Sequence, residues 1–209
     1  MKSLDKLLNS NVSEIGFNKQ NFREIEKINI LGITENVEIE KKFECNAYIV
    51  SEIGKKSTKS KGKYINPKDT NASINNFDFV IVRDPNESNF NLLDYDKPIG
   101  IQIEHENIIP ELRLTTLDSF DFDLYIYKIN KELIFNFEEI LKLKDVINSI
   151  RSNWFIYSDD NFDSSDNFQY LYDLGFIGIV VDLDKLNTQQ FNKIKSNIKK
   201  IEEKKNGKI

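Results

Sequence analysis

Five short, β-rich apolar runs recur at similar intervals from residue 77 onward. They cover residues 79–82, 99–103, 124–129, 154–157 and 178–183. Their starts lie roughly 20 to 30 residues apart, the length of one strand, one helix and the two turns that join them. Helical periodicity fills most of the gaps. Phe137, Ile140, Leu141, Leu143, Val146, Ile147 and Ile150 follow an i, i+3, i+4, i+7 pattern. Phe168, Leu171 and Tyr172 share one face of a shorter helix, which Gly175 ends at the C′ position. Thr188 is placed to cap a last helix built on Phe191, Ile194, Ile198 and Ile201. Pro110 stands at the first position of a helix near residues 111–117. Alternating strands and helices of this kind predict an α/β fold with a parallel sheet.

The first 70 residues read differently and predict a separate element. Residues 2–8 suit one or two helical turns. Stretches such as Glu24-Ile25-Glu26 and Val37-Glu38-Ile39-Glu40 alternate as half-buried strands do, which predicts two or three antiparallel strands within residues 22–50. The run 55–68 holds six Lys and no acid, so residues 54–69 read as a surface connection. The expected division is therefore a β-rich element with a basic linker over 1–70 and a βα-repeat domain over 71–209. One device recurs: an aromatic-Asp pair, Phe77-Asp78 and Phe122-Asp123, stands before a strand each time.

Charge and composition narrow the functional classes. The net charge of −5 argues against a dedicated nucleic-acid binder, because duplex affinity rests on clustered positive charge. The longest uncharged apolar run, 174–181, falls far short of the roughly 20 residues of a membrane helix. A single Cys, Cys45, and a single His, His105, leave neither an internal disulfide nor a Cys/His zinc framework. Together these predict a cytoplasmic protein that engages neither membrane nor nucleic acid.

The segment Leu171-Tyr172-Asp173-Leu174-Gly175-Phe176-Ile177-Gly178-Ile179-Val180-Val181-Asp182 resembles the ending common in aldolase-type and ribulose-phosphate-binding TIM barrels. In that resemblance the first Gly ends a helix and the second lets the next strand enter beside it. The phosphate loop of those enzymes has no counterpart, since the strand is followed by Leu183-Asp184-Lys185-Leu186-Asn187. Residues 77–209 suffice for about five βα units, whereas a full barrel of eight takes roughly 250 residues. The expected fold is thus a partial TIM-barrel-like repeat of about five units with a small N-terminal β-rich element. An open, doubly wound sheet of flavodoxin-like size is the alternative. A partial barrel has unpaired edges, which predicts coverage by the N-terminal strands or by a second subunit in a homodimer.

In parallel α/β folds, function gathers at the C-terminal ends of the strands. Those ends carry Arg83 and Asp84, Glu104 and His105, Lys128, Ser158 with Asp159 and Asp160, and Asp182 with Asp184. Gly100, Gln102 and Glu104 share one face of their strand, as do Gly178, Val180 and Asp182. Asp84, Glu104 and Asp182 form a candidate set of hard oxygen ligands for Mg²⁺. Lys128 is a candidate to stabilise an enolate, or to form a Schiff base if desolvated. His105, between Glu104 and Glu106, is a candidate acid or base near neutral pH. Each residue also has a plain role, because chains surface at strand ends and Asp caps the helix that follows. Two functional readings follow. One is a barrel-type enzyme acting on a small anionic metabolite at the strand ends; the other is a non-catalytic degenerate barrel serving as a binding or assembly module.

Overall fold

The computed structural model describes residues 27–36, 39, 42–53, 59–66, 68–83, 95–105, 111–120, 122–129, 136–150, 152–158, 162 and 165–205. Eight strands form, β1 (Asn29–Thr34), β2 (Ala47–Val50), β3 (Ser60–Ile65), β4 (Phe79–Val82), β5 (Ile99–Glu104), β6 (Leu124–Ile129), β7 (Asn153–Ser158) and β8 (Gly178–Asp182). Each lies parallel to its sequence neighbour, and β8 pairs with β1 as well as with β7, so the sheet closes on itself. Successive registers advance 141 residue numbers from β1 to β8, while the β8–β1 register steps back 149. The difference of eight is the shear that eight strands need to close at the usual tilt.

Several expectations are corrected by this ring. The strands of the first 70 residues are parallel, not antiparallel, and they belong to the same barrel as the rest. The barrel is complete with eight strands, not partial with about five units. The β1–β8 ladder excludes the open doubly wound alternative. β3 runs through the Lys-rich stretch that read as a surface connection. Ile39 sits in a turn, with the Lys42 and Phe43 N–H groups donating to its carbonyl, while residues 2–8, 24–26, 37, 38 and 40 lie outside the described residues. The cause of the miscount is connection length. β1 and β2 start 18 residues apart (29 to 47) and β2 and β3 only 13 (47 to 60), against 29 between β6 and β7 (124 to 153). Among the described residues, no α-helix joins β1 to β2 or β2 to β3, and α1 (Asn71–Ile74) before β4 is a single turn. Closure also removes the sheet edges on which the expectation of a second subunit was built.

The recurring Asp before a strand has a definite task. Asp78 accepts the Lys61 N–H on its carboxylate at 2.8 Å and donates its own N–H to the Lys61 carbonyl at 2.7 Å. Asp123 does the same to Ile99, at 2.9 Å in both directions. Asn46 repeats it on Ile30, at 2.8 and 2.9 Å. Each residue stands one position before an even-numbered strand and clamps the preceding odd-numbered one. At the fourth pair, Ile177 keeps only the main-chain half, donating to the Trp154 carbonyl at 2.9 Å. One position further along, each strand pair places a large residue opposite a small one: Leu31 with Ala47, Phe79 with Gly62, Leu124 with Gly100, and Phe155 with Gly178. The small partners make room for the large ones to fill the barrel floor as a packed layer.

Side-chain alternation divides the core in two. Leu31, Ala47, Ile49, Phe79, Ile81, Leu124, Ile126, Phe155, Tyr157 and Val180 fill the ring. Tyr125, Tyr127, Trp154, Ile156, Ile179 and Val181 face outward and pack with the helices. These are α2 (Glu111–Ser119), α3 (Phe137–Ser149), α4 (Ser165–Leu174) and α5 (Thr188–Lys205). α3 begins with a capping box in which the Asn136 side chain and the Glu139 backbone N–H satisfy each other, with the reciprocal bond from Asn136 N–H to Glu139. The cap of α5 is Asn187, one residue before the expected Thr188; its side chain accepts the Gln190 N–H and Gln190 returns the bond. α5 buries Phe191, Ile194, Ile198 and Ile201 as the periodicity predicts. α3 departs from its pattern, since Phe137 and Leu141 are exposed and Leu143 carries the buried contact. Gly175 ends α4 at φ +110°. The Phe176 N–H reaches the Leu171 carbonyl and the Gly175 N–H the Tyr172 carbonyl, a Schellman motif that only a residue tolerant of positive φ completes without strain.

Candidate functional site

The C-terminal ends of all eight strands surround a concavity of about 610 Å³. Because side chains alternate, the residues that reach it continue the inner face upward from the apolar ring. Ile33, Ile49, Tyr64, Gln102, Lys128, Tyr157 and Asp182 arrive from the strands, and Arg83 stands just past β4. Glu35, Glu52, Lys63 and Lys185 complete its charged lining. The size falls within the range of small-molecule pockets.

A hydrogen-bonded series crosses one side of the mouth. The Tyr64 hydroxyl donates to Gln102 Oε1 at 2.8 Å, and Gln102 Nε2 donates to Glu104 Oε1 at 3.4 Å. The same Glu104 oxygen stands 3.6 Å from Lys128 Nζ, which also lies 5.8 Å from the centre of the Tyr157 ring. Gln102 is buried, and these two bonds fix which end of its amide accepts. Burial, followed by the nearby Tyr157 and Glu104, holds the Tyr64 hydroxyl far above the ordinary phenol range, with Arg83 acting the other way. Tyr64 is therefore a neutral donor in this series. Arg83 lies over the Tyr64 ring at 5.8 Å and forms no ion pair with any described residue. The other three cations each have a carboxylate: Lys63 with Asp69 at 2.6 Å, Lys128 with Glu104, and Lys185 with Asp182 at 3.0 Å. Lys63 in turn helps Asp69. Partial burial pulls that carboxyl upward, but hydrogen bonds from Lys63, the Asn66 N–H and Ser73 together hold it below its usual value.

The β8–β1 corner is closed by the chain itself. The Asp184 carboxylate accepts the Thr34 hydroxyl and the Glu35 N–H, both at 2.8 Å. Loops after the seventh and eighth strands are where barrels of this type commonly build phosphate sites. Here an internal carboxylate uses the donors of that corner.

The residues expected from sequence part company. Glu104 and Lys128 meet as an ion pair beside the cavity. Asp182 lines the mouth, but from β8, separated from β5 by β6 and β7, and it pairs with Lys185. His105 turns to the outer side of the ring, where Nδ1 lies 2.7 Å from the Tyr127 hydroxyl. Tyr127 belongs to the core between barrel and helices, and burial pushes its hydroxyl up to about 12, so His105 faces a neutral phenol away from the concavity. Asp84 lies outside the described residues, as do Asp159 and Asp160. Among the described residues, no group of three His, Cys, Asp or Glu could hold a metal ion. Tyr64, Gln102 and Tyr157 are lining residues that the site expectations left out. Their signal is parity: Tyr64 stands two positions after Gly62, as Gln102 does after Gly100, so both share the inner face with a floor glycine.

No family model matches the chain, and no curated protein sequence matches it. Solved structures do. Thiamine phosphate pyrophosphorylase from Pyrococcus furiosus superposes with a TM-score of 0.55 at 11% identity, covering 87% of this chain and 99% of its own. The tryptophan synthase complex from Pyrococcus furiosus gives 0.56 at 10% identity, covering 83% and 97%. A mutant tryptophan synthase alpha-subunit from the same organism gives 0.57 at 10% identity, covering 84% and 97%. The chain has the TIM-barrel fold. The likeness read from residues 171–182 holds at the level of fold: Gly175 ends the helix, and Gly178 admits β8 against β7 and β1. Identities this low carry the architecture and not the chemistry. Among the described residues, no helix is long and apolar enough to cross a membrane.

Proposed function

We propose that the mouth of this TIM barrel binds a small anionic metabolite, anchored by Arg83 and supported by Lys128 and Lys63. The observation that carries the reading is Arg83: a guanidinium lining a concavity, 5.8 Å from the centre of the Tyr64 ring, with no carboxylate partner among the described residues. A guanidinium presents a planar fork of donors suited to carboxylate and phosphate oxygens. The enzymatic form of this reading uses the Glu104–Lys128 pair. A carbonyl ligand held by Arg83 would meet an ammonium that stabilises an enolate and a carboxylate that takes up a proton. The fold neighbours are enzymes, which is consistent with that form. The rival reading, binding without turnover, draws on the mutual neutralisation of Glu104 and Lys128.

A thermal-shift screen of phosphate, pyrophosphate, sugar phosphates and dicarboxylates, with neutral sugars alongside, tests the proposal. An anion at about one hundred times its Kd adds about 2.7 kcal/mol, a rise in Tm of roughly 5 to 10 °C for a chain of this size. Arg83→Gln weakens that anion about tenfold, as loss of one exposed charge-assisted contact should. The reading is wrong if no anion shifts Tm, or if neutral sugars shift it equally.

A further inference from the structure

We infer that the ligand of this mouth carries an ammonium group as well as an anion. The inference rests on the proposed function and narrows its substrate class. The charged lining is sorted by position on the ring. Lys63, Arg83 and Lys128 line the cavity from β3, the end of β4 and β6; Lys63 is paired with Asp69 and Lys128 with Glu104 of β5, so Arg83 is the cation of that arc with no carboxylate among the described residues. Glu35, Glu52 and Asp182 come from the ends of β1, β2 and β8, which are contiguous on the opposite arc. Lys185 also belongs to that arc, but it is spent on Asp182 at 3.0 Å. Glu35 and Glu52 make no ion pair with any described residue, as Arg83 makes none on its own side. The Glu35 backbone N–H donates to Asp184, which anchors at the rim the turn that carries this side chain.

Unpaired charges of opposite sign at separate strand ends around one cavity impose a direction on whatever enters. A compact polyanion would gain at Arg83 and be repelled by Glu35 and Glu52. A molecule with a phosphate or carboxylate at one end and an amine at the other gains at both. The apolar floor of Ile33, Ile49 and Tyr157 suits a short carbon chain between the two ends. The class is an amino-alkyl phosphate or an amino carboxylate.

Calorimetric titration of the full chain with matched pairs tests this. Propyl phosphate is compared with 3-aminopropyl phosphate, and butyrate with 4-aminobutyrate. The amine-bearing member binds roughly fivefold tighter than its partner, the scale of exposed charge pairs. In the E35Q/E52Q variant that ratio falls to about one, because the ammonium loses its partners and the plain anion loses its repulsion. In R83Q both members of a pair weaken together and the ratio persists. A ratio of one or below in the unmodified chain, or a ratio that survives E35Q/E52Q, overturns the inference. If the plain anions still bind and weaken in R83Q, the proposed function stands without it. If none of the four compounds binds, the inference fails, and the proposed function stands or falls on the anions of the thermal-shift screen.

Discussion

Trp154→Ala destabilises the barrel by about 3 to 5 kcal/mol, the cost of emptying a large aromatic site in a packed core. Trp154 points outward from β7 and is 1% exposed. Its ring lies 4.8 Å from that of Tyr125 and 6.5 Å from that of Tyr127, so one side chain fills the space between two strands and the helical layer. Its Nε1–H donates to the Ile150 carbonyl at 3.1 Å. That carbonyl also accepts the Ser152 N–H at 3.0 Å, so it is not orphaned by the substitution. Packing, not the hydrogen bond, therefore dominates the loss. Trp154→Phe keeps a ring against Tyr125 and loses less than half as much. Urea unfolding followed by circular dichroism measures both. A loss below about 1 kcal/mol for Trp154→Ala would show that the outer layer is not packed as described.

Gly178→Ala costs about 2 to 3 kcal/mol through overpacking. A Cβ at this position would fall 2.4 Å from Phe155 Cε1 and 2.6 Å from the Asn29 carbonyl oxygen. A ring can rotate away, but the carbonyl belongs to β1 at the ladder that closes the barrel. Gly62→Ala provides the contrast. Its Cβ would meet only the Phe79 ring, at 2.2 to 2.5 Å, with no backbone atom among its nearest contacts. Shrinking the neighbour separates the two cases. Phe79→Leu restores most of the stability lost in Gly62→Ala, whereas Phe155→Leu restores only part of that lost in Gly178→Ala. Equal rescue at both positions would mean that the β1–β8 closure tolerates movement, contrary to the tight register there.

The contrast between the two halves of the chain explains how much was legible in the sequence. β4 and β6 match their apolar runs at both ends, and β5, β7 and β8 differ by a residue or so, because each is a continuous run followed by a connection long enough for a helix. β3 was hidden by its composition. Ser60-Lys61-Gly62-Lys63-Tyr64-Ile65 has the lysines of a solvated linker, yet its small inner face sits beneath Phe79 and its Lys63 is held by Asp69. β2 is only four residues long, too short to show alternation. Short connections then made a full ring look unaffordable in length. The recurring Asp was visible as a pattern, but its task was not, since clamping a neighbouring strand is a contact between segments 17 or 24 residues apart.

The site was legible to the same degree. Strand-end reading found Glu104, Lys128 and Asp182, and the Glu104–Lys128 pair follows from their facing positions in adjacent strands. Strand parity already sends His105, one step past Glu104, to the outer face; sequence could not show that it meets Tyr127 there, because that contact joins two strands 22 residues apart. Nor could it show that Lys185 neutralises Asp182 while Arg83 is left without an acid among the described residues. Charge pairing across loops is a property of the closed ring.

The central claim, an anion held at the C-terminal mouth, is tested most directly by mapping backbone amide shifts as the tightest anion of the screen is added. The account predicts that the largest changes gather at Tyr64, Arg83, Gln102, Lys128 and Tyr157, and that they require about tenfold more ligand in R83Q. Changes gathered instead at the opposite end of the barrel, around Asn46, Asp78 and Asp123, or a titration unaltered by R83Q, would contradict it.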